Sequence, residues 1–382
     1  MNRREFLRLG AAAGVAAVAG PLVPAAPQRT PSRLIIVQFG GGTRFSESVG
    51  DPEHRFIPRL WNDLVPLGTL FTNMRVEGKV VHPNSTGSIM TGHWEWEDID
   101  WTRPVAHPTL FEVFRRESGA ADTDAWLFAY ASILSKAGIS SAKGYGATCA
   151  ANVVEPPTIS RGTAAEMDRL MATSAATGSP DAELGAAREC AALARRDCRM
   201  TEAGLRSKAA REFAAGFFAG WRKDEAATTS HDAFITDAAI SCMKAVRPRV
   251  LAVCYGEIDC AHYGSWSRYV EAIQRTDELT YRLWKAVQEH PAYRDRTLML
   301  VLPDHGRELE SSAGMGFVHH SDFYKGTGAD EGCRRVWMLA IGPGVGRGAT
   351  VEKAIPITTV AATGLEALGL DVPAGAAMAT RL

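Results

Sequence analysis

The stretch Thr297 to Arg307, TLMLVLPDHGR, carries an apolar run straight into an acid and an imidazole: Leu298 to Leu302 end in Pro303, Asp304, His305, Gly306 and Arg307. Short apolar runs bounded by turn residues read as strands buried on both faces, as in parallel sheets. In open α/β sheets the chemistry collects just beyond the carboxyl ends of such strands. One hard oxygen beside one imidazole nitrogen suits a divalent metal such as zinc, and an Asp-His hydrogen bond closing a turn is the plainer alternative. A second pair of the same kind, Asp259 and His262, follows the apolar run Arg249 to Tyr255, RVLAVCY. His319 and His320 come shortly after the first pair, in a glycine-rich loop. A lone buried Asp or His is costly unless paired or bound to metal, so two pairs at two strand ends point to ligands gathered in one crevice.

Hydroxyl groups gather elsewhere. The segment His82 to Gly92, HPNSTGSIMTG, reads as a turn opening a helix that stops at the glycine. Ser85 or Thr86 either caps that helix or stands as a nucleophile beside amides that cradle an anion.

The elements that must position these groups alternate along the chain. Arg33 to Phe39 (RLIIVQF) is a buried strand followed by Gly40, Gly41 and Gly42, a run without the G-x-G-x-x-G spacing of a dinucleotide site. A helix is expected from Arg55 to Leu67, with Ile57, Leu60, Trp61 and Leu64 on one face, then strands at Leu70 to Met74 and Val76 to Val81. A further amphipathic helix begins at His107-Pro108-Thr109, and Trp126 to Tyr130 is a strand. Residues 150–246 shift to Ala, Arg, Glu and Asp with helical spacing, which predicts a largely helical insertion or cap. After the Arg249 to Tyr255 strand come a helix from Ser267 to Glu289, the strand of the Asp-His pair, the strand Val336 to Ile341 and a closing helix, Thr358 to Leu368. Strands alternating with helices predict an α/β fold, a three-layer α/β/α sandwich with a mostly parallel central sheet.

The 382 residues suffice for one large domain with an insertion, and a net charge of −1 gives no field to hold nucleic acid or an anionic membrane. The seven cysteines form no C-x-x-C pair, and their odd number leaves at least one thiol outside any intramolecular disulfide. Arg3 and Arg4, followed by Phe6, Leu7 and an Ala/Gly/Val-rich stretch, read as a twin-arginine export signal. Its apolar part is too short and too rich in Gly and Ala for a membrane span, so cleavage near Ala25 or Ala26 would remove residues 1–26 and leave a soluble exported domain, 27–382. The expected partner at that stage is the twin-arginine export machinery, and the expected destination is the periplasm or beyond.

On D-x-x-H at Asp259 to His262, DHG at Asp304 to Gly306, GPG at Gly342 to Gly344, the Thr91-Gly92 pair and the tail Ile357 to Leu370, the chain resembles the alkaline phosphatase superfamily of phosphodiesterases, sulfatases and phosphoglycerate mutases. The resemblance implies a two-metal site that hydrolyses phosphate or sulfate esters of small molecules. Asp259, His262 and one of His319 or His320 would hold one metal, and Asp304 and His305 the other. It also exposes departures. The family places an Asp directly after the first strand, where this chain has Gly40, and Glu47 is the nearest carboxylate able to substitute. The family's D-x-x-x-H is one residue shorter here. Counting back from Gly92 reaches His82 in place of a hydroxyl, either as a ligand or to position substrate, with Ser85 and Thr86 close by. No Cys-x-Pro-x-Arg sulfatase signature occurs. Arg44, Lys79 and Arg307 are candidate clamps for non-bridging oxygens. The departures leave room for a degenerate member that binds a ligand or partner without turnover.

Overall fold

The computed structural model describes residues 30–98, 100–224, 230–309, 316–320, 331–372, 375–380 and 382; the signal expected at 1–26 lies outside the described residues. In the first strand, β1 (Arg33–Phe39), successive side chains feed two different cores. Ile35, Val37 and Phe39 face the helices His231–Ala245 and Trp266–Glu289, while Leu34 and Ile36 face His82–Thr91, Leu110–Ser118 and Thr359–Ala367. The period of two along a strand makes a sheet apolar on both faces, and helices cover each face. The three-layer α/β/α sandwich follows.

The remaining strands are β2 (Thr69–Arg75), β3 (Ala125–Ala129), β4 (Asn152–Val154), β5 (Val250–Cys254), β6 (Thr297–Pro303), β7 (Arg335–Ile341), β8 (Ala349–Val351) and β9 (Ile355–Pro356). Their order is β4-β3-β5-β1-β6-β7-β2-β8, with β9 also pairing with β2. Among the described strands, only β7 runs against its neighbours; the other pairings are parallel. Among the described residues no helix is long and apolar enough to cross a membrane. The seven cysteines are free thiols.

Several local expectations change. The turn before β2 is a π-helix, Leu60–Leu64, followed by a 3-10 turn, Val65–Leu67. Pro66 lacks the amide an α-helix would need there, and the Asp277 carboxylate instead accepts the amides of Arg59 and Leu60 at 2.8 and 2.7 Å. No strand forms at Val76 to Val81: β2 ends at Arg75, and the segment bends so that Val80 reaches the site described below. Within 150–246, β4 is an edge strand of the sheet and the helix His231–Ala245 packs on the core. The helices Arg161–Ala175 and Pro180–Asp197 are mostly exposed.

Candidate metal centre

At the middle of the sheet β5, β1 and β6 end level, with Gln38 opposite Cys254 on one side and Leu302 on the other. Their outgoing loops therefore meet. The space between them is so small that glycine is required at three successive positions. A Cβ on Gly40 would overlap the Tyr255 carbonyl and lie 2.5 Å from His82 Cε1. One on Gly41 would overlap the Asp259 amide, and one on Gly42 would lie 2.7 Å from His305 Cε1. Gly41 and Gly42 also hold φ of +98° and +80°, which other residues rarely adopt.

Two groups of ligand atoms line this crevice. The first comprises His82, Asp304 and His305, all buried, with one potential ligand atom from each within 4.8 Å of the others. His82 opens the helix His82–Thr91, and its Nδ1 meets Asp304 Oδ2. His305 Nε2 lies 3.2 Å from the same oxygen. Burial alone would raise the Asp304 pKa, but the charges of His305 and His82 and the His82 hydrogen bond hold it below the usual carboxylate range. For His82 burial works downward, yet the charge and hydrogen bond of Asp304 prevail and raise its pKa.

The second group is Asp259, His262 and His320. Asp259 and His262 sit on the 3-10 helix Glu257–Tyr263, in which residues three apart eclipse one another. The shortened D-x-x-H spacing thus still puts both on one face, His262 Nε2 3.1 Å from Asp259 Oδ1. His320 Nε2 is 2.9 Å from His262 Nε2 and 3.8 Å from Asp259 Oδ1. Burial opposes ionisation of Asp259, but His262's hydrogen bond and the charges of His82 and Arg307 hold its pKa far below normal.

The tautomers show that these groups fit a divalent cation. His305 Nδ1 lies 2.8 Å from the Gly306 carbonyl and His320 Nδ1 2.9 Å from the Val80 carbonyl. A carbonyl can only accept, so each ring carries its proton on Nδ1. Burial, reinforced for His320 by the charges of His305 and Arg307, lowers both pKa values and keeps the rings neutral. The bare His305 Nε2 then faces Asp304 Oδ2 at 3.2 Å, lone pair against lone pair, and has no hydrogen-bond partner, whereas the bare His320 Nε2 accepts from His262 Nε2 at 2.9 Å. Such an unmet buried group costs about 1–3 kcal/mol. A cation between nitrogen and oxygen removes the conflict, and a backbone carbonyl holding the other ring nitrogen is the support that metal-bound histidine requires.

The remaining candidates fall elsewhere. His319 is exposed, and its carbonyl accepts the Glu308 amide at 2.9 Å. Glu47 does not reach the ligands: its carboxylate is held by Arg44 Nε at 2.5 Å and by Ser46 Oγ at 2.9 Å. Thr86 Oγ1 donates to the His82 carbonyl at 2.8 Å and accepts from Gln38 Nε2 at 2.7 Å. Ser85 Oγ, in the same turn, is buried without a partner. Lys79 is exposed. Arg44 donates to the Glu308 and Leu309 carbonyls as well as to Glu47. Arg307 is wholly buried, donating to Asp259 Oδ1 and Gly42 O at 2.9 Å, to Val318 O at 3.2 Å and to Gly41 O. These two arginines are struts of the site and not free clamps. One contributor escaped the sequence reading. Asp232, in the first turn of His231–Ala245, accepts the amides of Gly256 and Glu257 at 2.9 and 3.0 Å and so fixes the loop that bears Asp259. Burial and the nearby charge of Glu257 push its pKa up to about 8. An acid two residues after a helix-capping serine, Ser230, was its only trace.

No protein-family model matches the sequence, and no curated protein matches it. Solved structures do match in fold. A phosphonate monoester hydrolase from Silicibacter pomeroyi aligns with a TM-score of 0.54 at 14% identity, covering 92% of this chain and 76% of that one. A sulfatase from Pseudoalteromonas sp. aligns with a TM-score of 0.53 at 13% identity, covering 90% and 68%. The protein Ps i-CgsB, solved with a neocarrahexaose, aligns with a TM-score of 0.56 at 12% identity, covering 92% and 75%. The chain has the fold of the alkaline phosphatase superfamily.

Two measurements check the geometry. Gly40→Ala is expected to destabilise the fold by about 3 kcal/mol or more, because a backbone oxygen cannot retreat as a side chain can. Gly185→Ala, with open space around an exposed helical position, is expected to stabilise by about 0.4–1 kcal/mol. Urea denaturation showing Gly40→Ala to be harmless would refute the close approach. In chelator-treated protein, histidines with lowered folded pKa bind protons more readily when unfolded, so stability falls as pH drops below about 6.5. His82, with its raised pKa, works in the opposite sense. His320→Asn keeps a donor for Val80 and cannot titrate, so its decline between pH 7 and 5 is expected to be shallower; an unchanged slope would contradict a buried neutral His320.

Proposed function

We propose that this chain is an exported, metal-dependent hydrolase of phosphate or sulfate esters. The observation that supports it most is the meeting of two ligand groups at three level strand ends, with the unpartnered His305 Nε2 turned toward Asp304. Asp259, His262 and His320 hold one divalent cation, zinc being the natural choice for such nitrogen and oxygen donors, and Asp304 and His305 hold the other. Bound there, the cations supply Lewis acidity: they neutralise charge on the ester and lower the pKa of a hydroxyl or water.

The protein's own part is positional. Gly306 and Val80 fix the two imidazoles, Arg307 holds Asp259 ionised and in place, and Asp232 clamps the loop beneath it. Asp259 and His262 form the half-exposed edge by which an ester enters. Of the hydroxyls in the neighbouring helical turn, Ser85 has its oxygen free of other bonds and is the stronger nucleophile candidate. The proteins of like fold include a phosphonate monoester hydrolase and a sulfatase, chemistries that share a tetrahedral anionic centre. Without a Cys-x-Pro-x-Arg segment, phosphate esters are the favoured class.

A second reading, a binding protein without turnover, draws on Gly40, where the resemblance calls for a carboxylate. The two separate on metal content after dialysis and on release of p-nitrophenol from p-nitrophenyl phosphate, its bis-ester and p-nitrophenyl sulfate. We expect bound metal, turnover abolished by chelation, and a loss of about 100-fold or more in His305→Ala. Failure to turn over any of the three esters, with one metal or none bound, would favour the binding protein. For export, replacing Arg3 and Arg4 by Lys is expected to retain the protein in the cytoplasm on cell fractionation; undiminished export would exclude the twin-arginine route.

A further inference from the structure

We infer that His82 is itself a ligand of the cation held by Asp304 and His305, completing a donor set that the loop after β1 cannot supply. The inference rests on the metal-dependent reading above and extends it. Two donors, Asp304 and His305, are too few for a stable catalytic site, where three protein ligands and an open position are the rule. The loop after β1 is the nearest backbone, yet Gly40 to Gly42 carry no side chain. The carboxylates that follow are committed, Glu47 to Arg44 and Asp51 to Arg55.

His82 enters from the opposite direction. Its ring stands against Gly40, where a Cβ would lie 2.5 Å from its Cε1, so the imidazole occupies the room that a side chain from β1 would need. Its Nδ1 addresses the same Asp304 oxygen that lies 3.2 Å from His305 Nε2. Its Nε2 is buried and has no hydrogen-bond partner. One potential ligand atom from each of the three residues lies within 4.8 Å of the others, and all three residues are buried. The helix presenting His82 is pinned to β1 by Gln38 and Thr86, so the ring is placed by rigid structure.

A purely structural role, bracing Asp304 by a hydrogen bond, predicts something different. His82→Asn offers an amide donor in place of Nδ1–H but is a poor metal ligand; His82→Ala offers neither. The full chain would be loaded with zinc or cobalt(II), dialysed, and assayed for metal per chain by mass spectrometry and for the cobalt visible spectrum, with circular dichroism to confirm folding. We expect two metals in the parent. In both variants we expect one metal weakened by about 100-fold or more, beyond the 10–100-fold typical of a supporting residue, and an altered cobalt spectrum. His262→Ala is expected to weaken the other metal and leave this one. Retention of both metals and of the parent spectrum in His82→Asn would overturn the inference while leaving the metal-dependent reading intact. A parent that binds no metal would overturn both.

Discussion

Everything at this site depends on three parallel strands ending at one level with nothing but glycine between them. The register that sets Gln38 beside Cys254 and Leu302 brings three loops to a common plane. The glycine run then lets the Asp259 backbone, the His82 ring and the His305 ring close on β1 from three directions. A single Cβ on that run would push apart groups whose chemistry requires contact. Parallel strands buried on both faces provide the rigidity such convergence needs, since their apolar side chains lock the backbone from above and below.

Gathering two carboxylates and four imidazoles in one crevice, with Asp304, His82, His305 and His320 buried, is electrostatically adverse, and the fold meets that cost with fixed partners. Arg307 reaches across the site to the Gly41, Gly42 and Val318 carbonyls and to Asp259. It thereby joins the loops after β1 and β6 to the D-x-x-H turn after β5. Asp232 does the same for the base of that turn through two backbone amides. Such groups act through geometry, holding ligands to within the few tenths of an ångström that coordination demands.

What the chain discloses by itself follows from the range of the forces involved. β1, β5, β6 and β7 are legible because each is apolar along its length, a local signal of burial on both faces. The candidate ligand pairs after β5 and β6 stand out for the same reason, since each follows closely on a strand. β4, β8 and β9 are two or three residues long at the sheet margin and carry no such pattern. The roles of Arg44 and Arg307 could not be read because their partners lie far along the chain, Arg44 with Glu308 and Arg307 with Gly41. Glu47 looked available for want of knowing that Arg44, three residues earlier, already held it. The choice between His319 and His320 likewise turns on a contact with Val80 that no spacing encodes.

The charge balance of the metal-free site constrains what it can do. Asp259 is paired with Arg307 and Asp304 with His82, while His305 and His320 are kept neutral by burial. Among the described residues the two carboxylates are thus matched one to one by Arg307 and His82. Arg44 and Arg307, the guanidinium groups in the wall, have their donors turned to protein oxygens. An incoming phosphate or sulfate would also face Asp259 at the open edge, where Asp259 and His262 are 36% and 41% exposed. Repulsion there, in a medium less polar than water, opposes the ester's approach. On the described residues, anion binding at this place would be helped by added cations. A divalent ion in each ligand group would supply that charge, so on the proposed reading the same ions would both admit the substrate and activate it.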